Sequence, residues 1–180
     1  MRPSPWQTAT CIGQWHYDRA STTMTATSRP KQVIQRLIDT VSKNGNLLLS
    51  IPVRGNGTLD DKEEKVLAGM ADWMAGQRAK RSLHHAPGAS MAKVRCSSPT
   101  PSSTRAWPAN WVTRDIRFTT KDSALYALGM DWPTNGYMTL YSLAEGSPQR
   151  KGSVERVELL GSGETAQVRA RSGRSDGEIA

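Results

Sequence analysis

The sequence predicts an α/β unit over residues 1–76 followed by an antiparallel β module from residue 113, and two observations carry that prediction. The spacing of apolar residues follows the helical repeat before residue 76 and alternates after residue 113. Between two helical stretches lies Leu47–Val53, a short and almost wholly apolar run of the kind that forms a strand covered on both faces.

The elements follow in chain order. From Lys31 to Lys43 the residues Val33, Ile34, Leu37, Ile38 and Val41 form one apolar stripe, which predicts a helix, and Asn44-Gly45-Asn46 supplies its stop. Leu47–Val53 is the expected strand, with Pro52 near its end. Arg54-Gly55-Asn56-Gly57-Thr58 reads as a turn between strand and helix, because the lysine of a phosphate-binding loop is missing. Asp60 with Glu63 three residues later resembles a capping box, Asp61 and Glu64 suit a helix start, and Val66, Leu67, Met70, Trp73 and Met74 carry the stripe onward. A buried strand needs neighbours, and only residues near the start of the chain precede it.

After Thr113 the alternation of Ile116 with Phe118, the turn Thr120–Ser123, and then Leu125, Tyr126 and Leu128 predict a hairpin ending at Asp131-Trp132-Pro133. Tyr137–Leu143 and Val154–Leu160 are further strand candidates separated by polar turns. Segment 77–112 is expected to be irregular, and residues 79–111 within it, rich in Pro and Ser and without apolar periodicity, are expected to lack a packed core.

The chain has 180 residues and a formal charge of +8, which by itself points towards anionic partners. The location of the charge argues otherwise. Arg78, Lys80, Arg81, Lys93, Arg95 and Arg105 fall in 77–112 without a single acid, and the remaining surplus lies in 21–30 and 165–180. A nucleic-acid partner is therefore not expected, and neither is a membrane, since no apolar run approaches the roughly 20 residues of a span. No apolar stretch follows MRPSPWQTAT, so no secretory leader is expected, and the compartment and oligomeric state stay open. Cys11 and Cys96 lie too far apart in sequence to suggest a disulfide framework or a metal site.

Two strings carry a family resemblance: Pro5–Tyr17 (PWQTATCIGQWHY) and, more specifically, Ser42–Leu49 (SKNGNLLL). With Asp61-Lys62-Glu63 and Asp115–Asp122 (DIRFTTKD), they resemble the α-L-fucosidases of glycoside hydrolase family 29. The resemblance implies the last repeats of a partial (β/α)8-type barrel over 1–76, followed by an antiparallel β-sandwich fragment over 113–180, in which 165–180 fits least well. It also implies a hydrolase that removes terminal α-L-fucose from glycans without a cofactor. Shifted by one base, permitted codons for segments 21–30, 79–113 and 166–180 encode family-like strings, so these stretches are expected to be out of frame.

Retaining glycosidases need two carboxyl groups about 5–5.5 Å apart. The family's nucleophile is an Asp on an earlier strand, so no catalytic residue is assigned in this chain, and the fragment is expected to be inactive alone. Asp60 and Asp61 are expected to cap a helix rather than catalyse. Trp6, Gln7, Trp15, His16 and Tyr17 are the candidate sugar-binding residues, because aromatic faces with polar tips suit a concave sugar pocket. No metal site is expected at His84 and His85, which lack partners at zinc spacing. The alternative is a noncatalytic β-rich carbohydrate-binding or interaction module, against which the helix–strand–helix segment argues.

Overall fold

The computed structural model describes residues 4–19, 29–78, 111–121, 123–145, 147, 150, 152–160, 168–169 and 178–179. The expectations for most of 77–112, including His84, His85 and Cys96, lie outside the described residues, as do those for 21–28.

The α/β unit consists of β1 (Trp6–Cys11), α1 (Pro30–Ser42), β2 (Gly45–Ser50) and α2 (Asp61–Arg78). β1 is the neighbour that β2 requires. The two strands pair in parallel from Trp6↔Gly45 to Cys11↔Ser50, and the ladder extends through the Ile12 N–H to the Ser50 carbonyl at 3.2 Å. No alternation marks β1 in sequence.

Local chemistry sets the helix ends. Pro30 stands in the first turn of α1, where its missing N–H costs nothing, and the Arg29 N–H donates to the Gln32 side chain at 2.8 Å. Asn44 closes α1 in the left-handed region, with φ of 65°, a conformation that Asn tolerates. At the start of α2 the Glu63 half of the expected capping box is present, the Asp60 N–H donating to Glu63 Oε2 at 3.2 Å, while Asp60 Oδ1 caps the helix through the Lys62 N–H at 3.1 Å.

Ile12, Val33 and Val66 form the core of this unit, with Leu49, Ile51 and Met70 packed around them. β2 departs from the expected strand in two ways. It begins at Gly45 and ends at Ser50, leaving Ile51–Val53 in the loop, and its Leu48 is 55% exposed because only one face of the sheet is covered by α1 and α2. In this unit the described residues form two strands and no closed barrel. Met74 is also exposed, so the apolar stripe of α2 is longer than its contact.

The β module begins with a hairpin, β3 (Ile116–Lys121) and β4 (Ala124–Gly129), paired from Ile116↔Gly129 to Lys121↔Ala124. A second antiparallel sheet has the order β5-β7-β6, built from β5 (Met138–Thr139), β6 (Val168–Arg169) and β7 (Glu178–Ile179). Ile116, Phe118 and Leu140 form the module's core, joined by Leu125, Met138 and Leu143.

Two strand expectations need correction. Only Met138–Thr139 of 137–143 is strand, and Tyr141–Leu143 is a turn of 3₁₀ helix. Val154–Leu160 is irregular, with Val154 and Leu159 exposed. Among the described residues the segment makes a single bridge at Glu158, and the pairing with β5 comes from residues 178–179, with 168–169 beyond them.

A polar seam joins the two parts. Lys31, Gln35 and Asp39 recur every four residues along one face of α1. Lys31 pairs with Asp131, the Gln35 amide donates to the buried Met130 carbonyl, and Asp39 Oδ1 accepts from Arg117 Nε at 2.8 Å. Ile116 and Phe118 face the β core while Arg117 and Thr119 lie on the other face of β3, so all four are buried.

Candidate functional site

Both strands of the α/β unit end at Cys11 and Ser50, and the loops that follow them, 12–19 and 51–60, meet at one end of the sheet. Parallel α/β sheets bind ligands at that end, because side chains on the loops converge there while the strands hold their bases rigid.

Arg54 is the organising residue. One guanidinium nitrogen donates to the Leu59 carbonyl at 2.6 Å and the other to Asp60 Oδ2 at 3.0 Å, with Asp61 at 3.6 Å. Tyr17 reaches across from the β1 loop and donates its hydroxyl to the same Asp60 oxygen at 3.2 Å. The turn beneath is self-contained: the Gly57 N–H bonds the Arg54 carbonyl at 2.8 Å, and Asn56 Oδ1 accepts from the Thr58 N–H at 3.1 Å. Gly57 has φ of 82°, so glycine is needed there. This geometry fits a βα turn.

Around the network lies an open cleft of about 460 Å³, lined among others by Tyr17, Arg19, Arg54, Asn56, Asp60 and Lys62. Its carboxylate among the described residues is Asp60. The Lys62 N–H, the Arg54 guanidinium and the Tyr17 hydroxyl all bond the charged form, and together they outweigh desolvation and hold Asp60 below the usual carboxylate range. The same contacts, led by Tyr17 and Asp60, raise the pKa of Arg54 further. A carboxylate locked in this way accepts hydrogen bonds and fixes Tyr17. It is a poor proton donor, since a general acid needs a raised pKa.

The five residues singled out in sequence do not gather in one place. Tyr17 lines the cleft. Trp15 and His16 are exposed on the same loop, Trp15 at 48%. Trp6 and Gln7 lie at the start of β1, the opposite end of the sheet. There the Trp6 indole N–H donates to the Lys43 carbonyl at 3.0 Å, and its ring packs so closely on Gly45 that a Cβ at that position would approach it to 2.6 Å. Gln7 is exposed.

Arg54, Asn56 and Lys62 were not singled out as site residues. The position of Arg54 directly after the expected strand Leu47–Val53 was the available signal, but its partners come from the helix cap and from a loop 37 residues earlier. Among the described residues no group of three or more His, Cys, Asp or Glu could hold a metal ion, and no helix is long and apolar enough to cross a membrane. Cys11 donates its thiol to the Gly13 carbonyl at 2.9 Å, and burial raises its pKa.

Comparison with known proteins accounts for both parts of the chain. A family model for α-L-fucosidase matches residues 1–78, and one for the α-L-fucosidase C-terminal domain matches residues 109–176. Tissue α-L-fucosidase of Macaca fascicularis is 26% identical over 141 residues, covering 76% of this chain and 26% of the relative. Plasma α-L-fucosidase of Pongo abelii is 25% identical over 170 residues, covering 91% and 31%. The chain thus spans about a quarter to a third of the length of these relatives. The crystal structure of Thermotoga maritima α-fucosidase with a mechanism-based inhibitor superposes with a TM-score of 0.67 at 22% identity, covering 97% of this chain and 35% of that one. With one model on the parallel α/β unit and the other on the β module, in the order the fold displays, the chain belongs to the α-L-fucosidase family.

Proposed function

We propose that the chain carries part of the sugar-facing end of a retaining α-L-fucosidase, binds the terminal fucose of a glycan through the strand-end cleft, and does not hydrolyse it alone. In this reading β1–α1–β2–α2 corresponds to the closing repeats of a (β/α)8 barrel over 1–76, and 113–180 to the C-terminal β domain. The observation that carries it is the state of Asp60. A retaining mechanism needs one carboxylate to attack the anomeric carbon and a second carboxyl group to protonate the leaving oxygen. The carboxylate in this cleft is consumed by Arg54, Tyr17 and a helix cap, so it supports binding rather than proton transfer.

Tyr17, with its phenolic edge fixed, and the outward Trp15 and His16 supply aromatic faces and polar tips suited to a sugar. Trp6 and Gln7 act through the fold in this reading, since they sit at the other end of the strand. The test pairs an assay with a titration. The purified chain is expected to leave a chromogenic α-L-fucoside intact while L-fucose perturbs Tyr17 and Trp15 signals by NMR. Turnover above the buffer blank, removed by a carboxylate substitution in this chain, would overturn the noncatalytic reading. Perturbations confined to residues away from the cleft would overturn the binding site.

A further inference from the structure

Trp132 is 62% exposed, yet the backbone on either side of it is tightly held. Before it, Met130 is 2% exposed, its N–H donates to the Asp115 carbonyl at 2.9 Å and its own carbonyl accepts from Gln35. Asp131 pairs with Lys31, a contact that also lowers the pKa of Asp131. After it, Pro133 is buried and its carbonyl accepts the Gly136 N–H at 3.1 Å, while Asn135 Oδ1 accepts the Tyr137 N–H at 3.0 Å. A large indole is thus presented to solvent on a loop whose conformation is already fixed, so little ordering entropy remains to oppose contact with a ligand.

Topology decides where that indole stands. Trp6, at the start of β1, bonds the Lys43 carbonyl at the end of α1, so α1 runs antiparallel to the strands. The first turn of α1 therefore lies at the end where β1 and β2 finish, the end that carries the cleft. Lys31 is in that first turn, and its pairing with Asp131 brings the Trp132 loop to the same end.

We infer that Trp132 is a stacking platform for a pyranose ring of the glycan beyond its terminal fucose, contributed by the β module to the rim of the sugar-facing end. This rests on the strand-end cleft being the fucose site. The chemistry fits a sugar rather than a purely apolar partner. The C–H-rich face of a pyranose stacks on an indole, and the same loop carries the Lys31–Asp131 pair at the preceding residue and the exposed Asn135 three residues on, polar groups of the kind that bond hydroxyls.

The experiment titrates the full chain with L-fucose, lactose and a fucosylated lactose trisaccharide, comparing Trp132→Ala and Trp132→Phe with the unsubstituted protein by NMR. Unchanged thermal unfolding of the exposed-site variants serves as the fold control. Trp132→Ala is expected to weaken the trisaccharide by about three- to tenfold and leave L-fucose within about twofold, while Trp132→Phe retains most of the affinity. Equal trisaccharide affinity with and without the indole, equal loss for both ligands, or no trisaccharide binding to the unsubstituted chain overturns the inference. Trp132-dependent binding of lactose and trisaccharide without any fucose binding removes the fucose site and keeps the platform. A self-association abolished by Trp132→Ala, with glycan affinity untouched, assigns the ring to a second copy and overturns the platform.

Discussion

Neutralising Asp39 should cost far more than removing the ion pair it makes. Arg117 is 7% exposed, and its Nε lies 2.8 Å from Asp39 Oδ1. Its other contacts include the Ile116 carbonyl at 3.3 Å and the face of Trp111, 4.9 Å from the ring centre. Breaking a buried pair from one side costs roughly 3–5 kcal/mol, because the surviving charge stays buried without compensation. Two features reduce that figure here. Asp39 keeps 19% of its side-chain surface in water, and it is shared with the more exposed Lys43 at 2.7 Å. Asp39→Asn should therefore destabilise by about 2–3 kcal/mol, the amide still accepting one bond. Arg117→Met in the Asp39→Asn background should recover most of the loss, because no guanidinium is left to solvate and the thioether stem fills the same space. Urea unfolding of the two single variants and the double variant gives the coupling directly. A coupling energy under about 0.5 kcal/mol would falsify the claim that this pair holds the β module on α1, since surface pairs reach that value unaided.

Gly45→Ala should destabilise by about 1–3 kcal/mol, because the new Cβ would meet Trp6 at 2.6 Å and Thr40 at 2.9 Å; thermal denaturation measures it. Ile12→Ala empties a fully buried position against Val33 and Val66, with an expected loss of roughly 2–5 kcal/mol in urea. Trp6→Phe should cost about 1 kcal/mol through the Lys43 carbonyl, and a neutral result would show that water replaces the indole N–H. The pKa values of Asp60 and Asp131 are depressed in the folded chain, so their stabilisation is fully present above the unfolded carboxylate pKa of about 4 and fades as pH falls through the lower folded values. Stability of Asp60→Asn should accordingly fall less steeply below about pH 4 than that of the unsubstituted chain, and parallel acid-unfolding curves would contradict the assignment.

The helices and their caps were legible from sequence because their determinants lie within four residues of one another. The Asp60–Glu63 pairing and Asn44 at the stop act locally, and the structure displays both, whereas the start of α1 at Pro30 lies one residue before the expected stripe. The β3–β4 hairpin was legible for the same reason, as its two strands follow each other closely in sequence and pair antiparallel. The split between an α/β unit and an antiparallel module follows from the change in period.

Only the tertiary structure decided which backbone edges pair and which polar residues go inside. β1 carries no alternating pattern and forms because β2 needs a parallel partner, whereas Val154–Leu160, an expected strand, makes only a single bridge at Glu158 among the described residues. Gln35, Asp39 and Arg117 belong to the polar face of α1 or to an alternating strand; Gln35 and Arg117 are buried and Asp39 partly so because the β module, from 78 to 95 residues away, covers that face. The candidate site divides along the same line. The aromatic-rich string near the start was visible, but its split between the two ends of β1, the capture of Asp60 by Arg54 and Tyr17, and the place of Trp132 at the cleft's end of the sheet are long-range contacts. The spacing of neighbouring residues records local torsional and hydrogen-bond preferences. It carries little information about which distant surface will exclude water from them.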